Sequence, residues 1–239
     1  MTGDIVFQAA APELVVVGFF TPDYRAMAEG LAASIDKNAD PVRTSYHLYA
    51  VPKPEGTEWH EIILMKPQIV LRAMAEYPNS PIVLMDVDCR ISGNIDGLAD
   101  VKAGDVGVRY TGKMHSSNNS LDWFTSRVMV VRQTEMARLL MVNWLRLCQC
   151  AAVKNDETLL SVAIRVTPMA RLEIIPFEFS AVEEHKIGGR VPVISHVSAH
   201  SASRPGHSIK MFFRNGRRRL ISRITGRPYR DLKNSLKTR

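Results

Sequence analysis

The chain has 239 residues, of which 46% are hydrophobic and 23% charged, as expected for a folded protein with one substantial domain. No apolar stretch approaches the roughly 20 residues that span a bilayer, and the odd count of three cysteines argues against a disulfide framework. Residues 204–239 hold 12 basic residues and one acid, so the net charge of +7 belongs to this tail, and residues 1–203, with a net charge of −4, would repel nucleic acid.

Strands and helices alternate in the first half of the chain. Short apolar runs predict strands at 13–18, 44–51 and 81–85. Helical spacing of apolar residues predicts a helix ending near residue 35, and Pro67 suits the first turn of another over 67–76. This alternation predicts a mainly parallel sheet covered by helices, with ligands beyond the carboxyl ends of its strands.

The second half of the chain is less regular. Its pattern predicts strands at 104–110, 126–132, 171–176 and 191–195, helices over 135–151 and from 155 onward, and a polar loop at 115–120. No internal repeat is present, and no linker precedes about residue 204. We therefore expect one domain, residues 1–204, followed by a basic tail, residues 205–239.

Two aspartates, Asp86 and Asp88, end the third predicted strand. In an extended chain their side chains share a face. Close carboxylates repel each other unless a cation lies between them, and Mg²⁺ and Mn²⁺ prefer oxygen ligands of this kind. The pattern predicts a metal site that binds a diphosphate. A polar turn after a core strand is the alternative, because so short a pattern recurs by chance.

Further motifs surround the aspartates. They are Trp59, the Lys66-Pro67 start of a helix, Tyr77-Pro78, the Gly93 turn before Ile95-Asp96, the acidic helix start at 156–157, and a late strand ending in histidine near Ser203-Arg204. With these motifs the chain resembles the bacterial nucleotide-diphospho-sugar transferases, which are glycosyltransferases of the GT-A fold. The resemblance covers about residues 13–204 and is specific in 59–96. It implies an α/β, Rossmann-like fold with a mixed, mainly parallel sheet flanked by helices.

The resemblance also implies a metal centre. Asp86 would lie near the donor ribose, and Asp88 would bind the Mn²⁺ or Mg²⁺ that bridges the two donor phosphates. The third ligand in this fold is commonly a histidine after a late strand. His196 follows such a strand, whereas His200 fits better the spacing to Ser203-Arg204, so both are candidates.

The loop after the first strand would hold the nucleotide. Phe19, Thr21 and Tyr24 would line the base and ribose; for Phe19 and Phe20 the alternative is core packing, which we prefer for Phe20. Lys66 would reach a phosphate or remain a solvated lysine at a helix start.

Two acids at a helix start, Asp156 and Glu157, are candidate catalytic residues. Each acid would stabilise the helix dipole by about 0.3–1 kcal/mol without any function. In the resembled family such a group faces the sugar or the acceptor, and in an inverting enzyme it would act as general base. Arg127 stands where family members often have a glycine-containing turn, and it is expected to reshape the sugar pocket.

The basic tail has its own chemistry. Apolar residues alternate with arginines after residue 210, as in segments that lie on an anionic membrane surface. A peripheral membrane contact suits a lipid-linked acceptor. The alternatives are a solvated basic end without a partner and contacts of Arg204 and Lys210 with the donor diphosphate.

Together these features predict a metal-dependent glycosyltransferase that moves a sugar from a nucleotide-diphosphate donor to the hydroxyl of a saccharide or lipid-linked acceptor. The N-terminus lacks the basic start of a secretion signal, so we expect a cytoplasmic protein, with the inner face of the membrane as its site of action. The alternative is a non-enzymatic protein that binds nucleic acid or an anionic surface through the tail. A phosphatase is disfavoured, because it would need a nucleophilic aspartate near the N-terminus, whereas Asp86 and Asp88 lie at mid-chain. The base, the sugar, the anomeric outcome and the oligomeric state stay open.

Overall fold

The computed structural model describes residues 3–10, 12–100, 104–116, 119–150, 152–153, 155–182 and 192–196, all within one compact unit, Met1–Val197. The predictions for His200, for Ser203-Arg204 and for the tail at 205–239 lie outside the described residues. Among the helices that are described, none is long and apolar enough to cross a bilayer.

Ten strands are present in this part of the chain. They are β1 (Ile5–Phe7), β2 (Leu14–Phe20), β3 (Thr44–Ala50), β4 (Ile82–Met85), β5 (Cys89–Ile91), β6 (Val106–Ser116), β7 (Asn119–Val131), β8 (Leu172–Ile174), β9 (Ala181–Val182) and β10 (Ile194–His196). Seven form one sheet in the order β1-β3-β2-β4-β7-β6-β8, and the other three form a small sheet in the order β5-β10-β9. In the large sheet only β1 and β7 run against the common direction, so the predicted mixed, mainly parallel sheet is confirmed.

Helices cover both faces of the large sheet. They are α1 (Arg25–Asn38), α2 (Trp59–Ile62), α3 (Lys66–Glu76), α4 (Glu135–Cys150) and α5 (Asp156–Val166). On one face α3, α4 and α5 form a core with the sheet, in which Trp144 of α4 is fully buried. On the other face α1 and the small sheet enclose a second core that contains Leu31, Ile91 and Ile194. The apolar spacing along each helix therefore matches the face that it buries.

Several predicted boundaries change. The loop predicted at 115–120 is wrong, because β6 and β7 continue as the arms of a long hairpin in which Ser116 pairs with Asn119. Strands β1, β5 and β9 were not predicted; runs of two or three residues are too short to show a period. The N-terminal strand adds to the sheet edge by antiparallel pairing of Ile5 with Leu48.

A close approach of two strands fixes the edge where the aspartates follow. A Cβ atom on Gly18 of β2 would lie 2.7 Å from the carbonyl oxygen of Met85, the last residue of β4. Only glycine allows this contact, so Gly18 lets β2 and the end of β4 approach each other closely, immediately before Asp86.

Candidate functional site

A turn brings Asp86 and Asp88 together. Strand β4 ends at Met85, and the amide of Cys89 donates to the carbonyl of Asp86 at 2.9 Å. The extended chain predicted through these residues is therefore wrong, although the two carboxylates still converge. The amide of Asp86 donates to the carbonyl of Arg127 at 3.0 Å, which attaches the turn to β7.

His196 reaches the same place from the small sheet. Strand β10 pairs antiparallel with β5 and sets His196 opposite Cys89. The Nε2 atom of His196 lies 2.9 Å from Oδ1 of Asp88 and 3.8 Å from Oδ2 of Asp86. One ligand atom from each of the three residues lies within 4.8 Å of the others. Neighbouring ligands in an octahedral Mg²⁺ shell are about 3 Å apart, so this donor set fits a small divalent cation.

A buried lysine lies beneath the aspartates. Lys66 is 4% exposed, which makes the alternative of a solvated lysine wrong. Its Nζ atom lies 2.8 Å from Oδ1 of Asp86, 2.8 Å from Oδ2 of Asp156 and 3.0 Å from the hydroxyl of Ser126, to which it donates. Ser126 in turn donates to Asp156 at 2.5 Å. We call Lys66, Asp86, Ser126 and Asp156 the lysine network.

The two aspartates that bind Lys66 differ in their pKa values. Burial raises the pKa of Asp86 to about 6, and the negative charge of Asp88 adds to the rise, against the attraction of Lys66. For Asp156, burial also acts to raise the pKa, but Lys66 and Ser126 outweigh it and hold the pKa below its usual value. Burial acts to lower the pKa of Lys66, and Asp156 and Asp86 together raise it instead. Lys66 and Asp156 therefore form a stable ion pair, while Asp86 keeps a carboxylate oxygen turned toward His196.

Glu157 faces strand β7. Its carboxylate accepts from the indole of Trp123 at 3.1 Å and from the hydroxyl of Thr125 at 2.7 Å, and its Oε1 lies 3.6 Å from Nε of Arg127. The side chain is 17% exposed. Helix α5 begins at Asp156, after the cap of Asn155, which accepts from the amide of Thr158 at 2.8 Å. Both acids thus lie at the helix start, as predicted, and both also bind side chains from other elements.

The sequence pattern did not indicate Trp123, Thr125 and Ser126, which hold the two acids. None of them belongs to a motif. Their only signal is that polar groups occur together at 122–127 before the apolar end of β7.

The predicted nucleotide-binding residues lie at the carboxyl end of β2. The ring of Tyr24 stacks on Trp59, with centroids 5.5 Å apart, and Trp59 is 43% exposed. Thr21 is buried, and Phe19 is partly buried against the core. Phe20 is 2% exposed, so its side chain packs in the core, as preferred from the sequence. A cavity of about 230 Å³ opens at the ends of β2 and β3, lined by Phe20, Pro22, Ala50, Val51 and Pro52.

Comparisons with known proteins identify the fold. No family model and no curated protein matches the sequence. Among solved structures, the chain is similar to a glycosyltransferase involved in the glycosylation of the major capsid of PBCV-1, with a TM-score of 0.58 and 12% identity over 79% of this chain and 94% of that one.

Two longer enzymes match as well. The bifunctional glycosyltransferase WbbM gives a TM-score of 0.53 and 13% identity over 81% of this chain and 46% of that chain. The glycosyltransferase GlyE of Streptococcus pneumoniae gives 0.54 and 11% identity over 79% and 55%. The chain spans about half the length of these two proteins. The likeness shows that the chain has a glycosyltransferase fold of the GT-A type.

Proposed function

We propose that this protein is a metal-dependent glycosyltransferase that moves a sugar from a nucleotide-diphosphate donor to a hydroxyl acceptor. The observation that carries the proposal is the convergence of Asp86, Asp88 and His196 after the end of β4, in a fold shared with glycosyltransferases. In a mainly parallel sheet the carboxyl edge is where ligands collect.

Mn²⁺ or Mg²⁺ is the proposed cofactor, held by Asp86, Asp88 and His196. When bound, the cation would neutralise the diphosphate that leaves the sugar. Lys66 already contacts Asp86, Asp156 and Ser126, so we now assign it to hold Asp86 in its orientation rather than to bind a phosphate.

The two acids of α5 take different roles in the proposal. Asp156 is 6% exposed and paired with Lys66, which leaves it a poor general base and makes it a positioning residue. Glu157 is more exposed and is kept in place by Trp123 and Thr125, both neutral donors. We therefore assign Glu157 as the carboxylate that faces the reacting sugar.

The nucleotide base would stack on the aromatic pair of Tyr24 and Trp59. Such a platform suits a planar ring, because stacking contributes about 1–3 kcal/mol for each base. Tyr24 belongs to the loop after β2, which is predicted from the sequence to bind the nucleotide. Trp59→Ala should weaken the binding of nucleoside diphosphates without changing the affinity for Mn²⁺.

The acceptor is proposed to be a saccharide or a lipid-linked sugar. The basic, partly apolar tail at 205–239 would hold the enzyme against an anionic membrane at its cytoplasmic face. Deletion of 205–239 should abolish sedimentation with vesicles of phosphatidylglycerol and phosphatidylcholine and leave donor binding in place. Full binding of the truncated chain to these vesicles would refute this role for the tail.

The central experiment is a thermal-shift screen of nucleotide-sugars with and without Mn²⁺, followed by calorimetry on the best donor. Asp88→Asn should abolish the Mn²⁺-dependent part of donor affinity, whereas Asp36→Asn, an exposed aspartate of α1, should leave it unchanged. Unchanged Mn²⁺-dependent affinity in Asp88→Asn would exclude the proposed metal site.

The non-enzymatic alternative gives the opposite pattern. A protein that binds nucleic acid or anionic surfaces through its tail would retain this binding in Asp88→Asn. It would lose all binding on deletion of 205–239, and no nucleotide-sugar would shift its melting temperature. Asp88→Asn and the deletion of 205–239 together therefore decide between an enzyme and a non-enzymatic binding protein.

A further inference from the structure

One arginine lies beside Glu157, and a second lies on the neighbouring strand. Arg109 of β6 is paired in register with Thr125 of β7, whose hydroxyl donates to Glu157 at 2.7 Å. Arg127 follows two residues later on β7, with its Nε atom 3.6 Å from Oε1 of Glu157. Both arginines are partly buried, and Arg127 lies beside the carboxylate that we assign to the reacting sugar.

Arg109 and Arg127 carry two positive charges, and Glu157 is the one described carboxylate shown close to either of them. Arg109 donates to the carbonyl of Ser180 and lies 4.3 Å from the ring of Phe177, and no carboxylate among the described residues pairs with it. Glu157, the acid nearest to Arg127, already accepts from Trp123 and Thr125. Of the two guanidinium groups, only that of Arg127 lies near a described carboxylate, and the hydrogen-bonding positions of that carboxylate are partly taken.

Holding this charge has an energetic cost. Burial, and then the positive charge of Arg127, lower the pKa of Arg109 below its usual value. An anion placed between the two guanidinium groups would remove the repulsion. Arginine is suited to carboxylates and to phosphates, because its planar fork donates two parallel hydrogen bonds to either group.

The position of Arg127 indicates which molecule brings the anion. Its backbone carbonyl accepts from the amide of Asp86, while its side chain points toward Glu157. A sugar whose diphosphate binds at Asp86 and Asp88 and whose ring reaches Glu157 would lie close to this side chain. The anion is therefore expected on the donor sugar itself.

We propose that Arg109 and Arg127 form a carboxylate-binding site for the donor sugar, so that the transferred sugar is an acidic one of the hexuronic type. This inference rests on the proposed function and specifies its substrate class. It also gives a role to Arg127, the residue that departs from the resembled family in the sugar pocket.

The test compares matched donors by calorimetry on the full chain with Mn²⁺. UDP-glucuronate is paired with UDP-glucose, and GDP-mannuronate with GDP-mannose. For the base that binds, the acidic donor should bind at least about tenfold more tightly than its neutral partner. In Arg127→Gln and Arg109→Gln this preference should fall to about one, while the affinity for the neutral donor should change by less than about threefold.

Arg72→Gln is the matched control. Arg72 lies 4.4 Å from the ring of Tyr49, the same stacked geometry that Arg109 has on Phe177, but it pairs with Glu76 on α3. This variant should keep the full preference for the acidic donor. If Arg109→Gln fails to fold by circular dichroism, Arg127→Gln alone decides, because its side chain is 33% exposed and less needed for packing.

Three outcomes would overturn the inference. The wild-type protein could bind the neutral donor as tightly as the acidic one, or the variants could lose both donors equally. The third is a preference found only at the acceptor, with transfer faster to methyl glucuronoside than to methyl glucoside. Failure of every nucleotide-sugar in the thermal-shift screen to bind with Mn²⁺ would instead refute the proposed function.

Discussion

The metal-capable cluster and the lysine network share Asp86 but differ in how their charges are balanced. In the cluster, Asp86, Asp88 and His196 contribute only groups that can bind a cation. In the network, the protein also contributes the cation, because Lys66 lies 2.8 Å from Asp86 and 2.8 Å from Asp156. A group of acids with its own buried lysine serves to hold a shape, whereas acids that converge with a histidine are suited to a ligand. The difference can be measured.

The largest effect is expected for Lys66→Met. This change leaves the carboxylates of Asp86 and Asp156 buried without a cation, which should lower the free energy of unfolding by about 3–5 kcal/mol. The loss should be largest above pH about 6, where both carboxylates are charged, because the pKa of Asp86 is about 6. It should shrink as the pH falls through the pKa of Asp86 and then through the pKa of Asp156, which Lys66 holds below its usual value. Urea unfolding followed by circular dichroism measures both.

A double variant provides the control for this prediction. Lys66→Met with Asp156→Asn removes one of the two stranded charges and should recover part of the lost stability. If Lys66→Met costs less than about 1 kcal/mol, the network does not hold the shape of the site and the comparison fails.

The next effect is that of the metal on the wild-type protein. Mn²⁺ at about 100 times its dissociation constant should raise the free energy of unfolding by about 2.7 kcal/mol, because it binds only the folded state. Asp88→Asn should weaken Mn²⁺ binding by about a hundredfold and reduce this gain to about 0.4 kcal/mol at the same Mn²⁺ concentration. Thermal unfolding in EDTA and in Mn²⁺ measures the gain. A full Mn²⁺ shift in Asp88→Asn would place the metal elsewhere.

Ser126→Ala separates the two regions. Ser126 is fully buried and joins Lys66 to Asp156, so its loss should lower the free energy of unfolding by about 1–3 kcal/mol. Its hydroxyl contacts neither Asp88 nor His196, so the dissociation constant of Mn²⁺ should stay within about twofold. A parallel loss of Mn²⁺ affinity would show that the cluster and the network are one unit.

The smallest effect is expected for Lys53→Met. Lys53 lies 2.6 Å from Asp23, as close as the pairs of Lys66, but both side chains are exposed and the pair is screened by salt. We expect no change in the melting temperature beyond experimental error at 0.15 M salt. A loss like that of Lys66→Met would mean that burial does not explain the importance of the network.

The sequence was sufficient for the features that depend on local periodicity. The apolar runs predicted β2, β3 and β4 within a few residues and the apolar end of β7, and the acids after β4 indicated the metal-capable cluster. The reasoning behind the cluster was wrong in one respect, because a turn rather than an extended chain brings Asp86 to Asp88.

Features that depend on contacts between residues far apart in the sequence could not be derived from local periodicity. Lys66 looks like any lysine at a helix start, and only the folded sheet places it between acids 20 and 90 positions further along the chain. The ladder of β5 with β10 was missed, because three-residue strands carry no period. The role of Trp123 and Thr125 is seen only in the folded protein, where both side chains donate to Glu157.

The pairing of β10 with β5 also sets the order in which the protein can be completed during synthesis. All seven strands of the large sheet lie before residue 175, whereas His196 leaves the ribosome later. Domains fold from the N-terminus as the chain is made, at about 5–20 residues per second. The scaffold can therefore form before the metal-capable cluster. A nascent chain that stops short of Ile194 would contain every described strand of the large sheet and still lack His196, the third member of that cluster.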